Sequence, residues 1–236
     1  MKRSLLSISG IAASLLILAA GCKKVDSNDL KDTVPFYQEY AVTYDKTAST
    51  TTATALLRVR SKDGSRVELT NGAYIRANGI DENDAQPTNN TYDWFFTGTK
   101  DVRFDLGKNS GTVIANIISL TDVGAIDFPS NMRTGFSKNE GYSFNWIGTE
   151  LSADEELTVT LTGTSMQSPL VPWTNKVNLD GNQIIIDSTS VNNIAPGSVT
   201  LKMTRTRTTA LDAADAEAGG SIKITSATSK VLMMGN

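Results

Sequence analysis

From Pro35 onward, short runs of alternating apolar and polar residues are separated by turn residues at intervals of about ten residues. Asn71-Gly72 and Asn78-Gly79 are typical turn signals, because Asn and Gly accept a positive φ. Tyr92 and Trp94 alternate with polar neighbours and share one face of their run. The strands predicted in this half are Tyr37–Tyr44, Thr52–Arg60, Arg66–Leu69, Ala73–Ala77, Tyr92–Thr97, Val102–Leu106 and Thr112–Ser119.

A second set of strands follows Thr121-Asp122-Val123-Gly124, which we interpret as the junction between two domains. The Ala-rich stretch Ala210–Ala218 is compatible with a short helix or with a loop. The strands predicted in this half are Gly141–Ile147, Glu156–Thr162, Gln183–Asp187, Ser198–Thr206 and a long run from Ser221 to Met234. Short strands at this spacing are typical of immunoglobulin-like sandwiches. We therefore predict an all-β fold with two tandem immunoglobulin-like β-sandwich domains, at residues 35–122 and 123–236.

The amino-terminal residues follow a different pattern. Lys2 and Arg3 precede an apolar run that ends Leu18-Ala19-Ala20-Gly21, and Cys22, the single cysteine, comes next. This order is that of a secretory signal peptide, and it resembles the lipobox of bacterial lipoproteins, in which the cysteine is acylated. The resemblance implies a signal peptide at residues 1–21 and a membrane anchor at Cys22. The alternative is an uncleaved membrane-spanning helix, for which the run is marginally long enough.

Residues 22–34 are polar and charged, and their composition predicts a flexible tether after the lipidated cysteine. The run from Gly21 to Asp26 resembles lipoproteins of the Bacteroidetes group. Lys23, rather than an aspartate, follows the cysteine, which favours delivery to the outer membrane where that sorting rule applies. The expected location is therefore an outer-membrane lipoprotein that faces either the periplasm or the cell surface.

Composition excludes several function classes. The chain has a net charge of -3 and shows no basic stripe, so nucleic-acid binding is not expected. It contains no histidine, which removes the commonest general base and the commonest metal ligand. We predict no enzyme and no cofactor. The chemistry that survives is a carboxylate pair as in glycosidases or a calcium site built from oxygen ligands.

The second half carries a further resemblance. Tyr142-Ser143-Phe144-Asn145-Trp146 is followed by Leu157-Thr158-Val159-Thr160-Leu161, and later by Ala195–Leu201 with Arg205 closing the strand. This succession is similar to immunoglobulin-like domains in uncharacterised Bacteroidetes lipoproteins, over roughly residues 125 to 234. The resemblance concerns the pattern of the sandwich, and it implies no catalytic residues.

Two segments of the first half suggest binding chemistry. Asp81, Asn83 and Asp84 lie in an acidic loop whose spacing is similar to the calcium-binding linker of cadherins, and they are a weak calcium candidate. The alternative for this loop is a solvated turn. Tyr92 and Trp94 could stack against a sugar, but aromatic residues at alternate strand positions are far more often sandwich core.

The remaining candidates are scattered. Trp173 lies in a proline-bounded apolar stretch, and we predict it as a possible ligand contact, with packing over the core as the alternative. The tripeptides Asp32-Thr33-Val34 and Asp187-Ser188-Thr189 resemble a short O-glycosylation site of exported Bacteroidetes proteins, and Thr33 is the better candidate. Glu150, Glu155 and Glu156 fall near a turn, where solvated acids are ordinary.

These observations lead to a functional expectation. We expect a lipid-anchored cell-envelope protein that acts as a non-enzymatic binding or adhesion module, with a protein or glycan ligand and with the membrane as a partner through Cys22. The alternative is a structural spacer or subunit of a larger envelope assembly. A carbohydrate-binding or carbohydrate-active protein is a distant third hypothesis.

Overall fold

The structure, a computed structural model, describes residues 24–82, 91–168 and 172–236. It confirms the prediction of an all-β chain. Its strands are β1 (Lys24–Asp26), β2 (Phe36–Asp45), β3 (Thr50–Val59), β4 (Arg66–Glu68), β5 (Tyr74–Ala77), β6 (Ile80–Glu82), β7 (Tyr92–Thr97), β8 (Val102–Gly107), β9 (Val113–Ile118), β10 (Ile126–Asp127), β11 (Gly135–Ser137), β12 (Tyr142–Asn145), β13 (Ile147–Gly148), β14 (Glu155–Ser165), β15 (Pro172–Lys176), β16 (Asn178–Asp180), β17 (Gln183–Ile186), β18 (Ile194–Thr209) and β19 (Gly220–Gly235). The described helices are α1 (Ser188–Val191) and 3-10 turns at Ser27–Asp29, Leu120–Asp122 and Ala216–Ala218.

One large sheet runs through both halves of the chain, in the strand order β1-β4-β3-β2-β19-β18-β14-β15, with β7 beside β3 and β11 beside β19. A second sheet has the order β6-β5-β8-β9, and a third has the order β12-β17-β16. Each smaller sheet shares a buried apolar cluster with the large one. The layering is therefore that of a β-sandwich with two cores on a common sheet.

The first core lies between the large sheet and β6-β5-β8-β9. Alternation in β2 and β3 places Tyr40, Val42 and Leu57 inward, where they are buried. The Phe104 ring of β8 stacks on Tyr40, with the ring centroids 4.4 Å apart. The prediction that the aromatic residues of β7 are core is confirmed for Tyr92 and Trp94, which are buried, but it is wrong for Phe95, which is 77% exposed. Burial of these large side chains is the main favourable term in forming this layer.

The second core lies between β14, β18 and the β12-β17-β16 sheet. Leu161 of β14 and Leu201 of β18 are paired across the two strands, and both are fully buried. Ile184 of β17 covers them from the other layer and is also fully buried. The alternation found in the sequence therefore identified the inward positions of both layers.

Strand β19 belongs to both cores. Its first half pairs in parallel with β2 and supplies Ile222 and Ile224 to the first core. Its second half supplies Leu232 and Met234 to the second core. The strand is 16 residues long, about 53 Å if fully regular, which is enough to cross both layers. The predicted division at residues 122 and 123 therefore does not separate the contributions to the two cores.

The segment that follows the predicted anchor is structured, so the prediction of a flexible tether is wrong for residues 24–34. Lys24–Asp26 pair in parallel with β4 at the edge of the large sheet. Ser27 is buried, and its hydroxyl accepts a hydrogen bond from the Thr70 amide at 2.9 Å. Leu30 packs against the first core. The strand pair, the buried Ser27 and the packed Leu30 hold this segment in place although most of its residues are polar.

A buried ion pair fixes the end of the same segment. The Asp215 carboxylate accepts hydrogen bonds from the Phe36 amide at 2.7 Å and from the Lys108 ammonium at 2.8 Å. Lys108 also donates to the Val34 carbonyl at 2.9 Å. The stretch from Ala210 to Ala218, predicted as helix or loop, is a loop that ends in a 3-10 turn. Asp215 in this loop therefore ties the start of β2 to the turn between β8 and β9.

Candidate functional site

A cleft of about 910 Å³ opens in the second half of the molecule. It is lined by segments 129–133, 139–145 and 185–188, and we call it the Tyr142 cleft. Its volume lies in the range of small-molecule binding sites. The paired strands β12 and β17 form its base, since Ser143 is opposite Ile185 and Asn145 is opposite Gln183 on the face that points away from the second core.

Aromatic packing holds the base of the cleft in place. Phe144 is buried, and its ring lies 5.6 Å from the half-buried Tyr142 ring. Phe136 stacks on the other side of Tyr142 at 6.0 Å. The Tyr142 hydroxyl accepts a hydrogen bond from the Arg133 amide at 3.0 Å, which links the strand to the 129–133 loop. Phe136 and Phe144 are buried, so Tyr142 is the most exposed of these three rings.

Glycine at position 141 is required by the turn that enters β12. Its φ is +68°, in the left-handed region, and a Cβ there would lie 2.7 Å from the Ile186 carbonyl oxygen. Only glycine meets both conditions without strain. The turn places the exposed side chains of Asn139 and Glu140 at the rim of the cleft.

The opposite rim is held by a helix cap. The Asp187 carboxylate accepts hydrogen bonds from the Ser190 amide at 2.9 Å and from the Thr189 hydroxyl at 2.6 Å. An aspartate at this position satisfies amides that the first turn of α1 leaves without partners. Its structural role therefore accounts for Asp187 in the Asp187-Ser188-Thr189 motif.

Most of the polar groups that remain accessible in the cleft are uncharged. Arg133, Asn139, Glu140, Ser143 and Asn145 are exposed around the cleft, and three of these five side chains are uncharged. Amide side chains offer a donor and an acceptor in one plane, and serine offers both on one atom. The cleft thus combines neutral hydrogen-bonding groups with the half-buried Tyr142 ring in its lining.

A smaller cleft of about 480 Å³ lies beside Trp146, Leu151 and Asn182. Trp146 is 7% exposed, and its ring packs beneath the Arg205 guanidinium at 5.9 Å. The Trp146 amide donates to the Asn182 carbonyl at 3.1 Å. Most of the tryptophan surface is therefore used in packing, which leaves this cleft with little aromatic surface for a ligand.

The acidic group at residues 150–156 is not a set of solvated carboxylates, and this interpretation of the sequence is wrong at Glu155. The Glu155 side chain is 3% exposed and pairs with the Arg205 guanidinium at 2.9 and 2.5 Å. Hydrogen bonds from Arg205 hold the pKa of the Glu155 carboxyl far below its usual range, although burial acts in the opposite direction. Glu155 therefore stays ionised and serves in the fold.

Three of the predicted site residues lie outside the described residues: Cys22, Asn83 and Asp84. Asp81 is described, and its carboxylate binds the Arg76 guanidinium through both oxygens, at 2.5 and 3.3 Å. A calcium ion at Asp81 would have to displace this pair. Among the described residues, no group of three or more acidic, histidine or cysteine side chains could hold a metal ion.

Trp173 and Thr33 are the other predicted site residues. Trp173 lies in the edge strand β15, opposite Gly163 of β14, and it packs half-buried against the second core. It was expected outside any strand and exposed, and the structure places it in the packing at the sheet edge. Thr33 is exposed, so its hydroxyl is open to modification.

Comparison with protein-family models, curated proteins and solved structures found no match for this chain. Within the described segments, no helix is long and apolar enough to cross a membrane. The functional argument therefore rests on the cleft geometry and on the sequence.

Sequence reasoning identified Tyr142 and Phe144 as a strand but missed the cleft. The signals that could have indicated it are the glycine at position 141 and the asparagines at positions 131, 139 and 145. Asn131 lies in one loop, Asn139 and Gly141 lie in the next turn, and Asn145 ends β12. The pairing of β12 with β17 brings this strand beside Asp187.

Proposed function

We propose that this protein is a lipid-anchored envelope protein that binds a glycan in the Tyr142 cleft without catalysing a reaction. The observation that carries the proposal is a cleft of about 910 Å³ that is lined by exposed neutral hydrogen-bonding side chains and by the half-buried Tyr142 ring. Sugars present many hydroxyl groups and weakly polar ring faces. A site for them needs directional donors and acceptors together with an aromatic surface.

The polar residues support this ligand class over an ionic one. Asn145 and Ser143 lie on the outward face of β12 and are exposed, so their polar atoms are available to vicinal hydroxyls. Arg133 brings one positive charge to the cleft, and Glu140 and Asp187 bring two negative charges, so the net charge of the lining is about -1. A strongly charged ligand would need an excess of the opposite charge at the site.

Binding without turnover is the activity that this cleft supports. A glycosidase requires two carboxyl groups on opposite sides of the scissile bond. Among the described lining residues the carboxylates are Glu140 and Asp187. Asp187 already accepts hydrogen bonds from Ser190 and Thr189 in its own turn. Because Asp187 is engaged in its own turn, it is not available as the second carboxylate that Glu140 would need for glycoside hydrolysis.

The location is proposed from the sequence. Lys2, Arg3, the apolar run and Cys22 have the order of a lipoprotein leader, so the chain would be exported, acylated and held at the outer membrane. We propose this location with either the periplasm or the cell surface as the side that the folded part faces. Two or more acyl chains anchor a protein stably, whereas one gives only marginal attachment.

A spacer function is the second candidate, and the continuous sheet favours it. Strand β19 contributes to both cores, and it pairs along its length with β18, so the two halves share one sheet. A shared sheet is suited to holding a partner at a fixed distance. We keep this function as the alternative, in which the cleft has no soluble ligand.

The test is a glycan array probed with the full chain, followed by calorimetric titration of any glycan that binds. Asn145→Ala is expected to weaken binding at least tenfold, because it removes a donor and an acceptor that a hydroxyl pair would use. Asn109→Ala removes an exposed amide from the turn after β8 and is the matched control, with no expected change. Absence of any glycan ligand, or equal affinities for the two variants, would contradict the proposal and favour the spacer.

A further inference from the structure

The described residues include a strand very close to the predicted anchor. Lys24 is already in strand β1, paired with Arg66, and only Lys23 lies between it and Cys22. Two residue steps span at most about 7 Å. If Cys22 carries the lipid, the corner of the sheet that contains Lys24 must lie at the level of the lipid headgroups.

The direction of the strands identifies that corner. β1 and β4 are parallel, so Lys24 lies at the end of the sheet where β4 starts. β4 is joined to β3 by the turn at residues 60–65, and this turn therefore lies beside the anchor. The turn between β2 and β3, around Ala48, lies at the other end of ten-residue strands, about 33 Å away.

The anchor corner carries four basic and three acidic side chains, a net charge of about +1, although the chain is acidic overall. Lys24, Arg60, Lys62 and Arg66 lie on β1, on β4 and in the 60–65 turn. The acids of the same elements are Asp26, Asp63 and Glu68, and Glu68 pairs with Lys24 at 2.5 Å. Arg60 and Lys62 are exposed, so their charges face the solvent. The whole chain, in contrast to this corner, has a net charge of -3.

The turn that carries these charges is fixed by backbone hydrogen bonds. The Arg60 amide donates to the Pro35 carbonyl at 2.9 Å, and the Val59 amide donates to the Ser65 carbonyl at 2.8 Å. Gly64 allows a close approach, since a Cβ there would lie 1.9 Å from the Val59 carbonyl oxygen. Arg60 and Lys62 are therefore presented on a rigid turn.

We propose that the anchored protein rests on anionic lipid headgroups through Lys24 and the 60–65 turn, and that its strands rise from the bilayer in a fixed orientation. This inference rests on the lipid anchor proposed above. Lipid attachment holds the corner at the surface, and the basic side chains contact lipid phosphates. Each basic residue near an anionic surface strengthens binding roughly fivefold. The end of the sheet near Ala48 would then point away from the membrane.

The experiment uses the full acylated chain in vesicles of phosphatidylcholine and phosphatidylglycerol with a nitroxide on the headgroup. Because Cys22 is the only cysteine, Ser61→Cys and Ala48→Cys each introduce one free thiol for a fluorophore. Both positions are exposed turn residues, so the two labels are matched. The label at position 61 is expected to be quenched severalfold more than the label at position 48. The charge reversals Arg60→Glu and Lys62→Glu, or vesicles without phosphatidylglycerol, should reduce that difference.

The outcomes separate this inference from the anchor itself. Fatty-acid labelling reports acylation of Cys22 independently of orientation. An acylated chain with equal quenching at both positions overturns the fixed orientation alone. An acylated chain whose quenching difference survives charge reversal overturns the role of the headgroup phosphates. A chain that carries no acyl group overturns both the anchor and the orientation. A flexible Gly-Ser insertion between Lys23 and Lys24 should abolish the difference in quenching.

Discussion

Arg205 and Glu155 form a bidentate ion pair in which the side chains are only 1% and 3% exposed. The same guanidinium donates to the Thr149 carbonyl at 2.8 Å and to the Glu150 carbonyl at 2.9 Å. Gly124 lies against it, and a Cβ at that position would lie 2.1 Å from the guanidinium carbon. The pair therefore joins strand β18 to the start of the second half and to the turn before β14.

Removal of one member of this pair should destabilise the protein strongly. Glu155→Gln leaves Arg205 charged and buried without its counter-charge, and such changes cost about 3–5 kcal/mol. Urea unfolding of the full chain measures the difference in the free energy of unfolding. Asp154→Asn is the control, because Asp154 pairs with Arg207 at the surface, where exposed pairs contribute about 0–1 kcal/mol. Equal effects of the two substitutions would show that burial of the first pair is not decisive.

The same pair predicts how stability depends on pH. The folded-state pKa of Glu155 is depressed by Arg205, so its contribution is present above the unfolded pKa of about 4.3. As the pH falls below that value toward the folded pKa, the unfolded state binds the proton first and stability is lost. The free energy of unfolding should fall less steeply with acid in Glu155→Gln than in the unchanged chain. Parallel pH profiles from pH 5 to 2 would contradict this assignment.

Local alternation predicted most of the inward positions, because a period of two is readable within a single strand. Tyr92 and Trp94 were placed on one face from the sequence, and both are buried. The pairing of β2 with β19 was not predictable in this way, since it joins residues from opposite ends of the chain. A parallel neighbour leaves no turn signal between the two strands.

The role of Glu155 was less predictable than the core for a related reason. Glu155 is acidic and follows a turn, which in sequence is indistinguishable from a solvated carboxylate. Its partner Arg205 lies 50 positions later, and only the antiparallel pairing of β14 with β18 brings them together. The structured segment at Lys24–Asp26 was missed because its single apolar residue, Val25, is too short a pattern to indicate a strand.

The ion pair at Asp215 should control the amino-terminal segment. Asp215→Asn removes the counter-charge of Lys108, which is buried, and weakens the acceptor of the Phe36 amide. We expect a loss of about 3 kcal/mol in the free energy of unfolding and faster proteolysis within residues 24–34. Asp212→Asn, at an exposed position of the same loop, is the control and should change neither measurement. Unchanged proteolysis in Asp215→Asn would show that the segment is held without this pair.

The final prediction separates packing from ligand contact at Trp173. The ring packs half-buried against the second core, and its indole nitrogen is buried without a hydrogen-bond partner among the described residues. Trp173→Ala should therefore cost about 2 kcal/mol of stability, less than for a fully buried aromatic side chain. Trp173→Phe keeps an aromatic ring and removes the unpaired N–H, so its cost should stay below about 1 kcal/mol. Thermal unfolding measures both variants, and titration with any ligand found on the glycan array measures binding. A normal melting temperature with lost binding in Trp173→Ala would restore the exposed-contact hypothesis, because a side chain that packs against the core cannot be removed without loss of stability.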